Sequence, residues 1–280
     1  MYSEIIKKYY NFSSFYFAEE KNVFIVGANH YYIYYFDSLK KAIDCINLSF
    51  SSPFSFRPIY NKFYRYVTEH DSLFFVLFLV KKYEFNIYHL FHPILVLNNI
   101  HLDWQKNWLK KSDYIVSFYA SIKGQYSLID ESINYYLGLL DFCVYLLNDY
   151  RGYNDYGFIQ HTRFVLDDYF NPTSFKIDIK ERDFANYLKY LFFSDSYNDV
   201  DISKMIFLGK DIFNFDLLFI RLLFPDYYFD VFDDILLKKK KISALGAIIS
   251  RQDAYLKYIK KIRDEIEKVY PIKKDINLIS

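Results

Sequence analysis

Apolar and polar positions change their rhythm once along this chain. Residues 14–18, 23–26 and 31–36 are short aromatic or β-branched runs, parted by turn-like residues at 19–22 and 27–29. Ser38 is placed to cap a helix in which Leu39, Ala42, Ile43 and Ile46 recur at helical spacing, and Pro53 and Pro58 end it. Residues 63–68 and 73–80 then predict a hairpin about 69–72. The order of three strands, a helix and two strands predicts a small antiparallel sheet carrying one helix over residues 1–82.

From residue 83 to 280 the repeat becomes helical. Asp130 predicts an N-cap, followed by the stripe Ile133, Tyr136, Leu137, Leu140, Val144 and Leu147. Residues 182–193 repeat Phe184, Tyr187, Leu188, Leu191 and Phe192 on one face. A further helix over 252–269 turns Tyr255, Ile259, Ile262 and Ile266 inward, with Pro271 past its end. The basic run 238–241 reads as a solvated helix end. The fold class is therefore α+β, with a sheet lobe and a larger helical lobe.

Composition narrows the function classes. With 35 basic and 34 acidic residues the net charge is +1, so no bulk field draws the chain to nucleic acid or to an anionic membrane. The longest uncharged apolar run, 73–80, is too short to span a bilayer, and the first ten residues carry Glu4, Lys7 and Lys8 rather than a signal peptide. A soluble protein of the cytoplasm is expected. Cys45 and Cys143 sit among apolar residues and read as small buried hydrophobes. There are 31 Tyr and 30 Phe but only 7 Gly, a skew that AT-rich coding explains. A binding module for carbohydrate or a polymer surface would instead expose a row of tyrosines, for instance from the doublets at 9–10, 31–32 and 227–228.

The scattered glycines form neither a GxGxxG fingerprint nor a P-loop. His89 and His92 lack a third ligand at metal spacing, and Pro93 interrupts a shared helix. The informative segment is 157–190. It holds His161-Thr162-Arg163, Asp167-Asp168, Asn171-Pro172, a short apolar stretch ending in Asp178, and Arg182-Asp183-Phe184-Ala185 opening a helix. This order resembles the catalytic core of kinase-like phosphotransferases, in which a His-x-Asp loop supplies the base, an Asn five residues later and an Asp after a short strand hold the metal, and an Asp opening the next helix braces the loop. With Trp108, the run 130–141 and the run 221–230, it is similar to the spore-coat-associated YutH/CotS group of the aminoglycoside phosphotransferase and choline kinase-like superfamily. The resemblance implies a bilobal protein kinase-like fold.

Carried over residue by residue, the resemblance places His161 as the loop histidine, Asp178 as the metal-binding Asp and Asp183 as the helix-opening Asp, although an N-cap explains Asp183 equally well. Arg163 stands where the base belongs, and a permanently protonated guanidinium accepts no proton. Asp168 stands where the metal-binding Asn belongs. The turn 19–22 has two carboxylates and no glycine where a phosphate lid would lie. The third strand offers no lysine, and the helix after it offers only Asp44 for an ion pair. Lid, lysine and base each contribute on the order of 3 kcal/mol or more to phosphoryl transfer.

The expectation is a degenerate site with no catalytic residue and no cofactor, in a scaffold that binds protein partners such as spore coat components and is located with them where the host sporulates. Arg163 would pair with Asp178 or Asp168 in place of a metal. The alternative is a divergent small-molecule phosphotransferase using Mg²⁺-ATP, with Asp178 and Asp168 on the metal and Asp167 as base.

Overall fold

The computed structural model describes residues 1–18, 22–80, 83–98, 103–148, 150 and 156–272. By backbone contacts the chain divides into two compact units, Met1–Val96 with Phe158–Asp178, and Leu97–Gly157 with Ile179–Ser280. The segment 158–178 thus groups with the sheet, although a sequence break at 82/83 puts it with the helices.

The first unit opens with a helix that strand-seeking patterns overlook. α1 (Tyr2–Tyr9) buries Ile5 and Ile6, with Glu4 in its first turn and Lys7 and Lys8 in its last, the charge order a helix dipole favours. The strands β1 (Tyr16–Phe17), β2 (Val23–Val26) and β3 (Asn29–Phe36) lie where the sequence predicts strands. α2 (Leu39–Ser51) follows, and Ser38 caps it by accepting the Lys41 N–H at 3.3 Å. β4 (Arg57–Pro58), β5 (Val67–His70) and β6 (Leu73–Leu79) complete a six-stranded antiparallel sheet ordered β1-β2-β3-β6-β4, with β5 also on β6. The β5–β6 turn is Asp71-Ser72, both at positive φ (48° and 62°), the backbone of a tight two-residue hairpin.

β6 is apolar throughout because both its faces are covered. Phe75 and Leu77 meet Ile5, Ile6, Phe24 and Ile33 on the α1 side, while Val76 and Phe78 meet Ala42, Cys45 and Ile46 on the α2 side. The expected α2 stripe is half right. Ala42 and Ile46 are buried, but Leu39 and Ile43 remain exposed, because the helix seats on the 42/45/46/49 face. A second, three-stranded sheet joins β7 (Leu95–Asn98), β8 (Tyr156–His161) and β9 (Phe175–Asp178), with Phe158 opposite Asp178 and His161 opposite Phe175.

The second unit is helical: α3 (Trp104–Ile122), α4 (Ser127–Leu147), α5 (Glu181–Phe193), α6 (Ile202–Gly209), α7 (Phe215–Leu223), α8 (Asp226–Leu236), α9 (Ser243–Ile249) and α10 (Gln252–Glu267). α7 is buried at every residue. α4 begins before Asp130, so that carboxylate caps nothing at its own position. It accepts the N–H of Gly124 at 3.1 Å, where φ is +81°, and ties down the α3–α4 turn. Of the predicted α4 stripe only Leu137 is less than buried, and the stripes of α5 and α10 are buried throughout.

Most of the tyrosine surplus is structural. Tyr136 stacks on Tyr228 at 3.7 Å between ring centres, and Tyr255 and Tyr258 donate to the carbonyls of Leu222 and Leu188 at 2.8 and 3.0 Å. A buried phenol keeps its hydroxyl bonded while its ring fills the core. None of the six tyrosines in the doublets 9–10, 31–32 and 227–228 is exposed, so the row they were expected to form does not exist. No described helix is long and apolar enough to cross a membrane.

Candidate functional site

The segment between β8 and β9 is built from its own polar residues. His161 ends β8 buried, stacked on Tyr169 at 4.3 Å and edge-on to Phe175 at 5.1 Å. Its Nε2 lies 2.6 Å from the Tyr169 carbonyl, which can only accept, so that nitrogen carries the proton. Thr162 closes the base of the loop by donating its N–H to Ser174 O at 2.8 Å. Arg163 and Asp167 are exposed, and Asp168 is half-buried at the end of a short 3₁₀ helix, Leu166–Asp168.

Asn171 is the residue that sequence reasoning passed over. It is buried, its amide donates to Asp168 Oδ1 at 2.7 Å, and its own Oδ1 accepts the N–H and hydroxyl of Thr173 at 3.0 and 2.9 Å. The signal was the Asn-Pro pair, which starts a turn by side-chain capping. Tyr32 reaches the same place from β3. Burial raises its pKa, and hydrogen bonding from the Asn171 and Thr173 side chains partly offsets this. Tyr34 is raised too, by burial first and then by neighbouring groups that include Cys45 and Asp168. Tyrosines, not a lysine, thus occupy the face of the third strand turned to the loop.

Aromatic rings pack against the loop. Phe170 is buried against Tyr83 (5.5 Å), His89 (5.3 Å) and Phe54 (6.2 Å), and Phe85 packs on Tyr169 (4.7 Å) and Phe164 (5.4 Å). The Phe56 N–H donates to Phe170 O at 3.2 Å, which fastens the loop to the chain just after α2. His89 and His92 serve a short 3₁₀ helix, Ile87–Phe91. His89 completes a capping box with Asn86, and His92 Nδ1 lies 2.8 Å from Tyr88 O.

Asp178 ends β9, as the sequence predicts, and is buried. One cation set against it is the ammonium of Lys176, 2.7 Å from Oδ2. Lys176 and Asn171 each hold one oxygen of these carboxylates, Asp178 Oδ2 and Asp168 Oδ1, so a divalent ion would compete with them at those two atoms. Among the described residues there is no group of three or more His, Cys, Asp or Glu side chains arranged to hold a metal. Of the parts the resemblance carries over, the turn 19–21 lies outside the described residues, and Asp44 is exposed on α2. Asp183 belongs to the other unit. It is buried in the first turn of α5, but the N-cap position is Lys180, so the simple N-cap reading of Asp183 is wrong.

The blocks at Trp108 and 221–230 come together inside the helical unit. Arg221 Nη2 lies 2.5 Å from Asp226 Oδ2, and Lys189 Nζ lies 2.6 Å from Oδ1 and 2.7 Å from Phe224 O. Trp104, Trp108 and Phe224 surround the guanidinium, with centroids 5.6, 5.9 and 5.1 Å from its carbon. Burial alone would raise the Asp226 pKa, but Lys189 and Arg221 outweigh it and hold the group at about 2. Burial pulls Lys189 down to about 8 against the attraction of Asp226. The cluster joins α5, α7 and α8 through a single carboxylate.

No protein-family model and no curated protein matches the sequence. Solved structures do match it in fold. An aminoglycoside phosphotransferase from Alicyclobacillus acidocaldarius subsp. acidocaldarius superposes with a TM-score of 0.65 at 9% identity, over 94% of this chain and 95% of that one. The AMP-bound complex of spectinomycin phosphotransferase APH(9)-Ia superposes with a TM-score of 0.50 at 12% identity, over 97% and 98%. The fold is therefore the kinase-like fold of aminoglycoside phosphotransferases, with an antiparallel sheet region followed by a helical region.

Proposed function

We propose that this chain is a kinase-like protein without phosphoryl transfer, working as a scaffold or interaction protein. The observation that carries the reading is the half-buried Tyr32 phenol on the third strand, set beside the Asn171 and Thr173 side chains of the loop. A neutral phenol stands on the strand that the resemblance assigns to a phosphate-binding lysine, and it engages loop side chains that would otherwise face a ligand. The exposed Arg163 at the position of the base supports the same reading, because it has no proton-accepting form. The likeness to spore-coat proteins supports protein partners and a place in the cytoplasm or coat, and rests on sequence blocks alone.

The test is thermal unfolding with and without millimolar Mg²⁺-ATP, followed by a search for label transfer from ATP. Saturation to 100 times a dissociation constant would add about 2.7 kcal/mol and move the midpoint by roughly 5 °C. No shift is expected. A magnesium-dependent shift of that size, with label reaching an acceptor, would overturn the proposal.

One observation favours a second reading, a divergent phosphotransferase of the aminoglycoside type. Asp167 is exposed in the loop beside Asp168, where a substrate hydroxyl could meet its carboxylate. Transfer to an aminoglycoside that disappears in Asp167→Asn would decide for this reading.

A further inference from the structure

The sheet unit carries an apolar hollow with a built rim. It has a volume of about 490 Å³ and runs between α2 and β5, lined by Ile43, Phe50, Tyr66 and Phe74, with Arg65 and Glu69 at its edge. Volumes of ~300–1,000 Å³ are those of pockets that take up a compact group of ligand atoms. Leu39, Ile43 and Phe50 stay exposed on α2, which explains why the predicted stripe is wider than the buried one. A second hollow of about 350 Å³ adjoins it and shares Arg65, Val67 and Glu69.

The loop between the two hollows is braced by hydrogen bonds and presents aromatic and cationic side chains. The buried Asn61 accepts the N–H groups of Phe63 and Arg65 at 2.9 and 3.1 Å and donates to Thr68 Oγ1 at 3.1 Å. This clamp holds Tyr64 at φ +59° with its side chain 86% exposed. Tyr60 stacks on Tyr66 at 4.0 Å, and Phe50 meets Tyr66 edge-on at 5.3 Å. Among the described residues neither Lys62 nor Arg65 takes part in an ion pair; the Lys62 ammonium lies over the Phe63 ring at 5.2 Å, and both side chains are exposed. Arginine and aromatic side chains held in place beforehand are the groups that dominate binding energy at interfaces.

We infer that this face is a docking site for a short apolar segment of another protein that carries carboxylates beside its apolar residues. Two or three aliphatic or aromatic side chains enter the hollow between α2 and β5. The carboxylates meet Lys62 and Arg65, neither of which has an ion-pair partner among the described residues. The inference does not involve the segment 161–178, so it stands or falls apart from the proposal of a silent phosphotransferase.

The experiment pans a phage-displayed library of random peptides against the full-length protein and measures the enriched sequences as synthetic peptides. Enriched peptides are expected to be net negative with at least two large apolar residues. Their affinity should fall about tenfold or more in Arg65→Glu and in Phe50→Ser. Replacing the peptide's acids by lysine should restore binding to Arg65→Glu and abolish binding to the native protein. Both substitutions are at exposed positions, where stability changes stay within about 0.5 kcal/mol, and unchanged melting checks this. If Phe50→Ser alone fails that check, Arg65→Glu and the charge reversal carry the test. No enrichment, enrichment of basic peptides, or binding indifferent to both substitutions would overturn the inference. So would sedimentation with phosphatidylserine vesicles that is lost in Arg65→Glu, which would make the face a lipid surface.

Discussion

The ammonium of Lys176 stands 2.7 Å from Asp178 Oδ2, and the two residues are neighbours on one face of β9. One partner of the carboxylate is therefore supplied by the pleat of the strand itself. Lys176→Met should lower stability by roughly 1–2 kcal/mol, because it strips a hydrogen-bonded charge from a buried carboxylate. Urea unfolding of the two proteins at neutral pH measures this, and an unchanged midpoint would show that the pair is idle.

Arg163→Asp puts a carboxylate back at the position of the base but leaves Tyr32 in place. Tyr32→Lys restores a cation on β3 but leaves the loop without its base. Neither substitution alone should give measurable transfer of label from ATP, since each missing part is worth on the order of 3 kcal/mol or more. Turnover by either single variant would mean that the remaining machinery is intact.

Acid should act on the helical unit through Asp226. Its folded pKa of about 2 lies below the ordinary 3.8, so its contribution is complete above pH 3.8 and is lost as the pH falls towards 2. The loss is on the order of 2 kcal/mol. Asp226→Asn should flatten the fall in urea midpoint between about pH 5 and pH 2.5. It should also cost ~3 kcal/mol or more at pH 7, because Lys189 and Arg221 are left facing each other without the carboxylate between them. An acid slope unaffected by the substitution would remove Asp226 from the explanation.

Both thiols should be silent in the native protein. Burial pushes Cys45 up to about 12 and raises Cys143 as well, so almost no thiolate exists at neutral pH. A chromogenic thiol reagent should find neither cysteine before unfolding and both after it. Fast labelling of one thiol in the native state would contradict its burial.

Much of the fold could be read along the chain, and the particular residues show why. Val23–Val26 follows local rules of strand run, and the α5 stripe follows period 3.6 over more than three turns. The hairpin was legible in its second arm only: the first arm is Val67–His70 rather than 63–68, and the turn is Asp71-Ser72 rather than 69–72. α1 escaped because an eight-residue helix gives a short periodic signal that its three charges interrupt. The α2 stripe was drawn too wide because spacing marks a face but does not say which edge of it finds a neighbour. In the site, the absence of a lysine from β3 was plain, whereas the meeting of Tyr32 with Asn171 was not. That meeting joins residues far apart in sequence and depends on tertiary packing. Lys176 needs no tertiary contact to be found, because a cation two residues from Asp178 on the same strand is already in range.

The interrupted course of the first unit has a consequence for how the molecule is made. A ribosome delivers Met1–Val96 well before it delivers Phe158–Asp178, yet both belong to one compact body. Until the later piece emerges, the α2 side of the nascent sheet waits with Tyr32 and its neighbours unmet. In that interval the half-buried aromatic side chains of β3 are open to chaperones or to a second nascent chain.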